Sequence, residues 1–289
     1  MQNFIIGGGP VGLITAYFTG YTIIDSEIGG QFNSQGPYYF HNTKNSRKFL
    51  TLLDVKYDIK KCKIGYFDGD KEVKYSEDFR KKYFFKTRGD KNVYGSSLNN
   101  GQKEFEYLDF DYKEFKRVIL KKVKVIKDRV IKIAATQKLL TLEKDNKKIP
   151  YDNLISTINI NILFKLIGSK FKYQSKSKLL VETCNPIYYI KYNLRDYDYV
   201  YVINKDYDRV VRIKDCANCL LDFNVANELQ VVHILDRYHS KKFNLLKGCT
   251  IVENIGRVSI NGIELVGRYA QWNHKIKMND VIDGFMENR

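Results

Sequence analysis

The chain has 289 residues, 44 % hydrophobic and 14 % aromatic, which suits a large folded core and argues against a disordered chain. No apolar run approaches the roughly 20 residues of a membrane span, and the stretch from Phe4 starts too early and without a basic flank for a leader peptide, so a cytoplasmic protein with no membrane attachment is expected. Lys and Arg exceed Asp and Glu by 16, a field that draws anions such as cofactor phosphates, a nucleotide-linked substrate or nucleic acid.

The charge shows only short visible clusters, at Lys60-Lys61, Lys81-Lys82, Lys121-Lys122 and Lys241-Lys242, with no basic arm and no nucleic-acid motif. Nucleic acid is therefore a less favoured partner than a small or nucleotide-linked anion. Five cysteines, odd in number and scattered, suit reduced thiols.

In chain order, Asn3-Phe-Ile-Ile is an apolar strand that runs into Gly7-Gly-Gly9-Pro10-Val11-Gly12, a Gly-x-Gly-x-x-Gly turn. A helix follows from Leu13, and Tyr21-Thr-Ile-Ile-Asp25 is a second strand ending in a carboxylate. A dinucleotide needs this order. Gly7 allows the tight turn, Gly9 lets backbone approach a pyrophosphate, and Gly12 lets helix and strand pack closely. Asp25 would accept bonds from ribose hydroxyls; it lies 18 positions after Gly7, a short spacing that implies a helix trimmed by Thr19-Gly20.

Residues 46–109 are polar and mixed. A short helix is predicted near Phe49, a strand at 63–67 turning through Asp68-Gly69-Asp70, and a helix beginning after Ser76. Lys86, Thr87, Arg88, Ser96, Ser97 and Asn99 are read as loop residues suited to substrate contact. A helix is predicted over 111–120, then a meander of three short strands at 122–126, 130–134 and 139–143. A strand at 154–158 and a glycine-ended helix at 161–168 follow. Residues 179–193, 199–204, 209–214 and 230–236 read as strands of an antiparallel sheet, with Arg209 and Arg212 as candidates for a phosphate or carboxylate. Cys216-Ala-Asn-Cys219 lacks the second pair that structural zinc requires, and no metal site is predicted. A dithiol relay remains open there. The final stretch is a strand at 262–266, Gly267-Arg268, an aromatic loop with Trp272 and His274, and a helix capped by Asn279 or Asp280.

Several segments carry a family likeness. Glu27-Ile-Gly29-Gly30-Gln31 directly after the acid, Gly36-Pro37-Tyr38-Tyr39-Phe40-His41, Tyr151-Asp-Asn-Leu-Ile-Ser-Thr157 and Gly267-Arg268 together resemble the FAD-dependent superfamily of amine oxidases, protoporphyrinogen oxidases and UDP-galactopyranose mutases. Tyr38 stands where the mutases carry a first histidine.

The resemblance implies an α/β fold: a Rossmann-like FAD-binding domain with a parallel sheet and β-meander, interleaved with an antiparallel-sheet substrate domain. The expected division is 1–45, 110–169 and 248–289 for FAD, with 46–109 and 170–247 for substrate. FAD contacts would come from Gly7, Gly9, Pro10, Val11 and Gly12, from Asp25, Ser26, Gly30 and Gln31, and from Phe40, Val125 and Thr157. Gly267, Arg268, Trp272, Lys277 and Met278 would complete them. His41, His274 and Arg88 are the catalytic candidates, and Tyr38, Lys86, Arg88, Arg209 and Arg212 the substrate contacts.

The resulting expectation is a FAD-dependent oxidoreductase acting on an anionic substrate. A mutase-like isomerase that uses reduced flavin is the runner-up, and a flavin-dependent nucleic-acid protein the third reading. No second Gly-x-Gly-x-x-Gly appears, so reducing equivalents would come from substrate or from transient NAD(P)H docking.

Overall fold

The computed structural model describes residues 2–29, 39–88, 101–172, 175–184, 197–205, 209–212, 218–223, 229, 243–251, 258–260, 262–273 and 275–287. The chain forms two compact units: Met1–Asp58, Leu108–Tyr173 and Asn254–Arg289 in the first, Ile59–Tyr107 and Gln174–Glu253 in the second.

The chain opens with β1 (Asn3–Ile6), α1 (Pro10–Thr19), β2 (Thr22–Ile24), β3 (Phe40–His41) and α2 (Lys44–Leu52). It continues through β4 (Tyr57–Asp68), β5 (Lys71–Glu72), α3 (Glu77–Arg88) and β6 (Glu104–Phe110). Next come α4 (Tyr112–Leu120), β7 (Val125–Ile126), β8 (Val130–Ala134), β9 (Leu139–Leu142), β10 (Lys148–Pro150), β11 (Asn153–Ser156) and α5 (Ile160–Leu166). Then follow β12 (Ser175–Cys184), β13 (Tyr199–Ile203), β14 (Arg209–Arg212), β15 (Asn218–Phe223) and β16 (Phe243–Ile251), and finally β17 (Ile263–Leu265) and α6 (Met278–Glu287).

The first unit is built on a parallel sheet of order β17-β11-β1-β2-β7. Ile5 pairs with both Ile155 and Ile23, and Ile23 with Val125. Ile5, Ile23 and Ile155 are all buried, as expected for strands covered on both faces. Helix α1 is apolar on nearly every side and buries Leu13, Ile14, Ala16 and Phe18. It stops at Gly20, whose φ of 72° lets its N–H reach the Ala16 carbonyl. Phe18 stacks on Phe285 of α6 (ring centroids 5.2 Å) and on Phe49 of α2 (5.2 Å). Phe40, Phe110 and Phe115 extend this cluster, each ring contributing about 1.5–3 kcal/mol by burial. Residues 46–58 lie in this unit because α2 buries Phe49 and Leu50 in the same core.

The meander is an antiparallel sheet of order β10-β9-β8. The first predicted meander strand is elsewhere: Val125–Ile126 joins the parallel sheet at its edge, beside β2, and Lys148–Pro150 supplies the third meander strand. Ile149 pairs with Leu140 there, and Pro150 ends an edge strand where no donor is needed.

The second unit holds a mainly antiparallel sheet, order β16-β12-β15-β14-β13-β4-β6, with β5 on β4 and β13 running parallel to β4. Strands β6, β15 and β16 add to the sequence reading; the predicted strand at 230–236 lies outside the described residues. Helix α3 runs through Arg88, so Lys86, Thr87 and Arg88 are helical, not on a loop. The reason is the spacing Phe79, Tyr83, Thr87, which keeps one face buried for a further turn. Ser96, Ser97 and Asn99 lie outside the described residues. Among the described residues, no helix is long and apolar enough to cross a membrane.

Candidate functional site

Strand β1 delivers the chain to Gly7, whose φ of 110° is open only to glycine at low cost. A Cβ on Gly7 would lie 2.5 Å from Thr157 Oγ1, and one on Gly12 only 1.8 Å from the Gly7 carbonyl oxygen. Turn and helix are therefore in backbone contact. Gly9 caps α1 in extended conformation with no side-chain bond, and Pro10 occupies the first helical position. The first N–H groups of α1 consequently face outward with the positive end of the helix dipole. Thr157 Oγ1 sits 3.2 Å from the Ile6 oxygen and 3.1 Å from the Gly7 oxygen, and its hydroxyl holds the start of the turn.

Asp25 folds back onto this turn. Its Oδ2 accepts the Gly8 N–H at 2.5 Å and its Oδ1 accepts the Glu27 N–H at 3.0 Å. Gly29 donates to the Gly8 carbonyl (2.8 Å), and the buried Tyr112 hydroxyl donates to the Gly29 carbonyl (2.8 Å). The short spacing from Gly7 to Asp25 thus produces a clasp between acid and glycine turn. Two of the carboxylate's lone pairs are used, leaving acceptors for a pair of ribose hydroxyls. Ser26 follows in the same half-buried turn, and Val125 lies on the neighbouring edge strand.

The end of the chain closes on the same place. Strand β17 pairs in parallel with β11, and Val266 donates its N–H to Ser156. Gly267 has a φ of 91°, and a Cβ there would lie 2.9 Å from Val11 Cγ1 in the first turn of α1. Arg268 Nε donates to the Ile276 carbonyl at 3.0 Å. Helix α6 begins at Met278, one residue before the predicted caps. Its capping acid is Asp280, whose Oδ2 accepts the Lys277 N–H at 2.7 Å, the returning half of a capping box.

His41, Lys277, Asp280 and Arg268 share one electrostatic neighbourhood. Burial, then the Lys277 charge, pushes the His41 imidazolium down to about 4, with partial relief from Asp280. Burial also lowers Lys277, assisted by Arg268 and opposed by Asp280. His41 is thus a neutral imidazole at pH 7. Two buried polar atoms nearby in the chain, Trp272 Nε1 and Asn279 Oδ1, lack a hydrogen-bond partner among the described residues.

Two aromatic candidates are core residues. Phe40 is 1 % exposed among Phe49, Phe110 and Phe115, and Trp272 is fully buried edge-on to Phe171 at 5.0 Å. Neither ring is open to a ligand, because the apolar packing that completes the first unit claims both. Met278 also packs partly against the core. In the second unit, Lys86 Nζ donates to the Val202 carbonyl at 3.0 Å and lines a pocket of about 530 Å³ with Lys82, Phe85, Ile203, Asn204 and Lys205. Arg88 ends α3, while Arg209 and Arg212 bound β14, opposite Asp222 and Cys219 of β15. Gly30, Gln31, Tyr38, His274 and Cys216 lie outside the described residues. Among the described residues, no cluster of His, Cys, Asp or Glu could hold a metal ion.

The sequence reading did not single out Gly8, Tyr112 or the electrostatic part of Asp280. Asp280 had a local signal in its place near a helix start; Tyr112 had none, since its partner is 83 residues away.

No protein-family model and no curated protein matches the sequence. Solved structures do match in fold. A reduced UDP-galactopyranose mutase aligns with TM-score 0.65 at 12 % identity, over 100 % of this chain and 96 % of that one. An oxidoreductase from Methanosarcina mazei aligns with TM-score 0.62 at 12 % identity, over 100 % and 99 %. Glycine oxidase from Geobacillus kaustophilus gives TM-score 0.55 at 10 % identity, over 99 % and 91 %. The resemblance to the FAD-dependent oxidase and mutase superfamily therefore holds at the level of fold.

Proposed function

We propose that the chain is a FAD-dependent oxidoreductase acting on an anionic substrate, nucleotide-linked substrates included. The observation that carries this reading is the glycine turn of the first unit. It is closed by Asp25 on one side and by Gly267 against Val11 on the other, with no room for a Cβ at Gly7, Gly12 or Gly267. A cradle of bare backbone at a helix N-terminus suits a pyrophosphate, and the remaining acceptors of Asp25 suit a ribose.

In this reading the first N–H groups of α1 hold the pyrophosphate oxygens, and Arg268 and Lys277 add positive charge. Bound FAD would supply the redox chemistry. Neutral His41 orients by hydrogen bonding and carries no charge at pH 7. In the pocket of the second unit Lys82 and Lys205 are paired with Asp78 and Asp70, so the support for an anionic substrate is Lys86 together with the chain's net charge of +16.

A second reading, a mutase-like isomerase, draws on Gly36-Pro37 and Phe40-His41 and on the likeness to reduced UDP-galactopyranose mutase. The absorption spectrum of purified protein tests both. Bands near about 375 and 450 nm are expected from bound flavin. Anaerobic NADPH and UDP-galactofuranose then separate a reductase from an isomerase. A colourless protein that cannot be reconstituted with FAD overturns the proposal.

A further inference from the structure

The positive charge is concentrated in one sequence segment of the first unit. Residues 113–148 contain thirteen Lys and Arg against four Asp and Glu, a net +9 of the chain's +16. Twelve of the thirteen basic residues are exposed; only Lys116 is half-buried. The acids are largely committed. Asp128 is buried and accepts the N–H groups of Arg129 and Lys144, Glu114 pairs with Arg117, and Glu143 lies 3.4 Å from Arg129.

The fold sets these charges on two outward surfaces: α4 packs into the core cluster with Ile5, Ile23 and Ile155, whereas Ile133 and Leu140 of the meander are buried outside that cluster. Helix α4 turns Tyr112, Phe115 and Ile119 into the core and leaves Lys113 and Arg117 outside. In the meander, the row Ile133, Leu140, Ile149 faces inward, with Ile133 and Leu140 buried. The adjacent row is Lys132, Thr141, Lys148, in register across three strands, with both lysines exposed about 10 Å apart. Lys144 Nζ donates to the Lys127 carbonyl, and Glu143 donates its N–H to Arg129, so the two turns at one end of the meander bring Lys127, Arg129 and Lys144 together.

We propose that the outward face of the meander, with Lys127, Arg129, Lys132, Lys144, Lys147 and Lys148, binds the phosphate backbone of double-stranded nucleic acid without reading its sequence. A duplex presents a sustained line of single negative charges that a broad field of point cations matches. Five of these six cations are lysines, point charges without the planar fork of arginine. Single-stranded nucleic acid fits less well, because none of the exposed large hydrophobic residues of this segment is aromatic and no base could stack. An anionic membrane also fits less well: Ile131 is the one exposed large hydrophobic residue here, too little to seat in an acyl layer. The inference uses residues outside the glycine cradle and stands independently of the proposed flavin chemistry.

The test is fluorescence anisotropy of a labelled 30-base-pair duplex of arbitrary sequence, titrated with full-length protein across a salt series. The variant Lys132→Glu/Lys147→Glu/Lys148→Glu is compared with Lys56→Glu/Lys170→Glu/Lys275→Glu, which makes the same charge change at exposed sites outside the segment. The patch variant is expected to lose at least about tenfold in affinity and to flatten the log–log salt slope by about 2 to 3, while the control loses about twofold or less. Lys→Gln substitutions at the same three positions serve if the glutamate variant melts early. Equal losses in patch and control variants, no duplex binding at 100 mM salt, or binding to phosphatidylserine vesicles but not to the duplex overturns the proposal.

Discussion

Replacing Gly12 by alanine tests the geometry of the cradle most directly. The general motif tolerates alanine at its third glycine. Here the added carbon would lie 1.8 Å from the Gly7 oxygen and 2.9 Å from the Gly7 carbonyl carbon, both backbone atoms that no rotamer can move aside. Helix and turn must separate by on the order of 1 Å, an overpacking that costs about 1–3 kcal/mol. The same shift takes N–H groups out of the narrow 2.7–3.2 Å range that their bonds to a pyrophosphate require. A hydrogen bond to a charged group is worth about 1.5–3 kcal/mol, so each one lost weakens FAD by roughly 10- to 100-fold.

Gly20→Ala at the other end of the same helix is the control. Its φ of 72° makes alanine strained by about 1–2 kcal/mol, but nothing lies within 4 Å of the new carbon. Both variants should melt earlier than the parent by circular dichroism, and Gly12→Ala alone should lose FAD in a fluorescence-quenching titration. A Gly12→Ala protein that binds FAD with parental affinity refutes the contact argument.

Three further outcomes follow from the same site. His41 has its pKa depressed from 6.5 to about 4, so its contribution to stability is full above pH 6.5 and is lost as pH falls toward 4. The parent should lose up to about 2–3 kcal/mol from this group across that window, and His41→Gln should show a correspondingly shallower fall in denaturation midpoint. Asp280→Asn removes the carboxylate that opposes both depressed pKa values; the titration of His41, followed by NMR, should move lower still, with about 0.5–1 kcal/mol of stability lost from the helix start. Tyr112→Phe deletes the bond to the Gly29 carbonyl and should cost about 1 kcal/mol in urea denaturation, with weaker FAD binding if the Gly8–Gly29 clasp holds the nucleotide end.

The glycine turn, α1, β2, α4 and the strand before Thr157 were legible because each is encoded locally, by glycine spacing, a cap or an apolar run. The errors fall where partners are distant. Whether Val125 belongs to the meander or to the parallel sheet depends on Ile23, a hundred residues earlier in the chain, and no local pattern encodes that choice. Phe40 reads equally well as ligand contact or core, and only the ring cluster of Phe49, Phe110 and Phe115 decides. Lys86, Thr87 and Arg88 read as loop residues suited to substrate contact, whereas burial of Phe79, Tyr83 and Thr87 carries helix α3 to Arg88. The Asp25 clasp was half legible: the carboxylate was evident, its bond to Gly8 was not.

The order of strands in the parallel sheet also sets a timetable for folding. Strand β1 finds β2 one helix later, with Phe4 opposite Thr22, but its other neighbour is β11, with Phe4 opposite Leu154, and β11 in turn needs β17, with Ser156 opposite Leu265. Each of these closures spans a long loop whose entropy must be lost before the pairing stabilises anything. During synthesis the apolar edge of β1 therefore waits for more than half of the chain, and the sheet is not complete until residue 265 has emerged. A nascent chain in that interval exposes an unpaired, two-sided apolar strand, the kind of intermediate that recruits chaperones or aggregates. Recombinant yield should consequently depend more on translation speed and chaperone supply than on the stability of the finished fold.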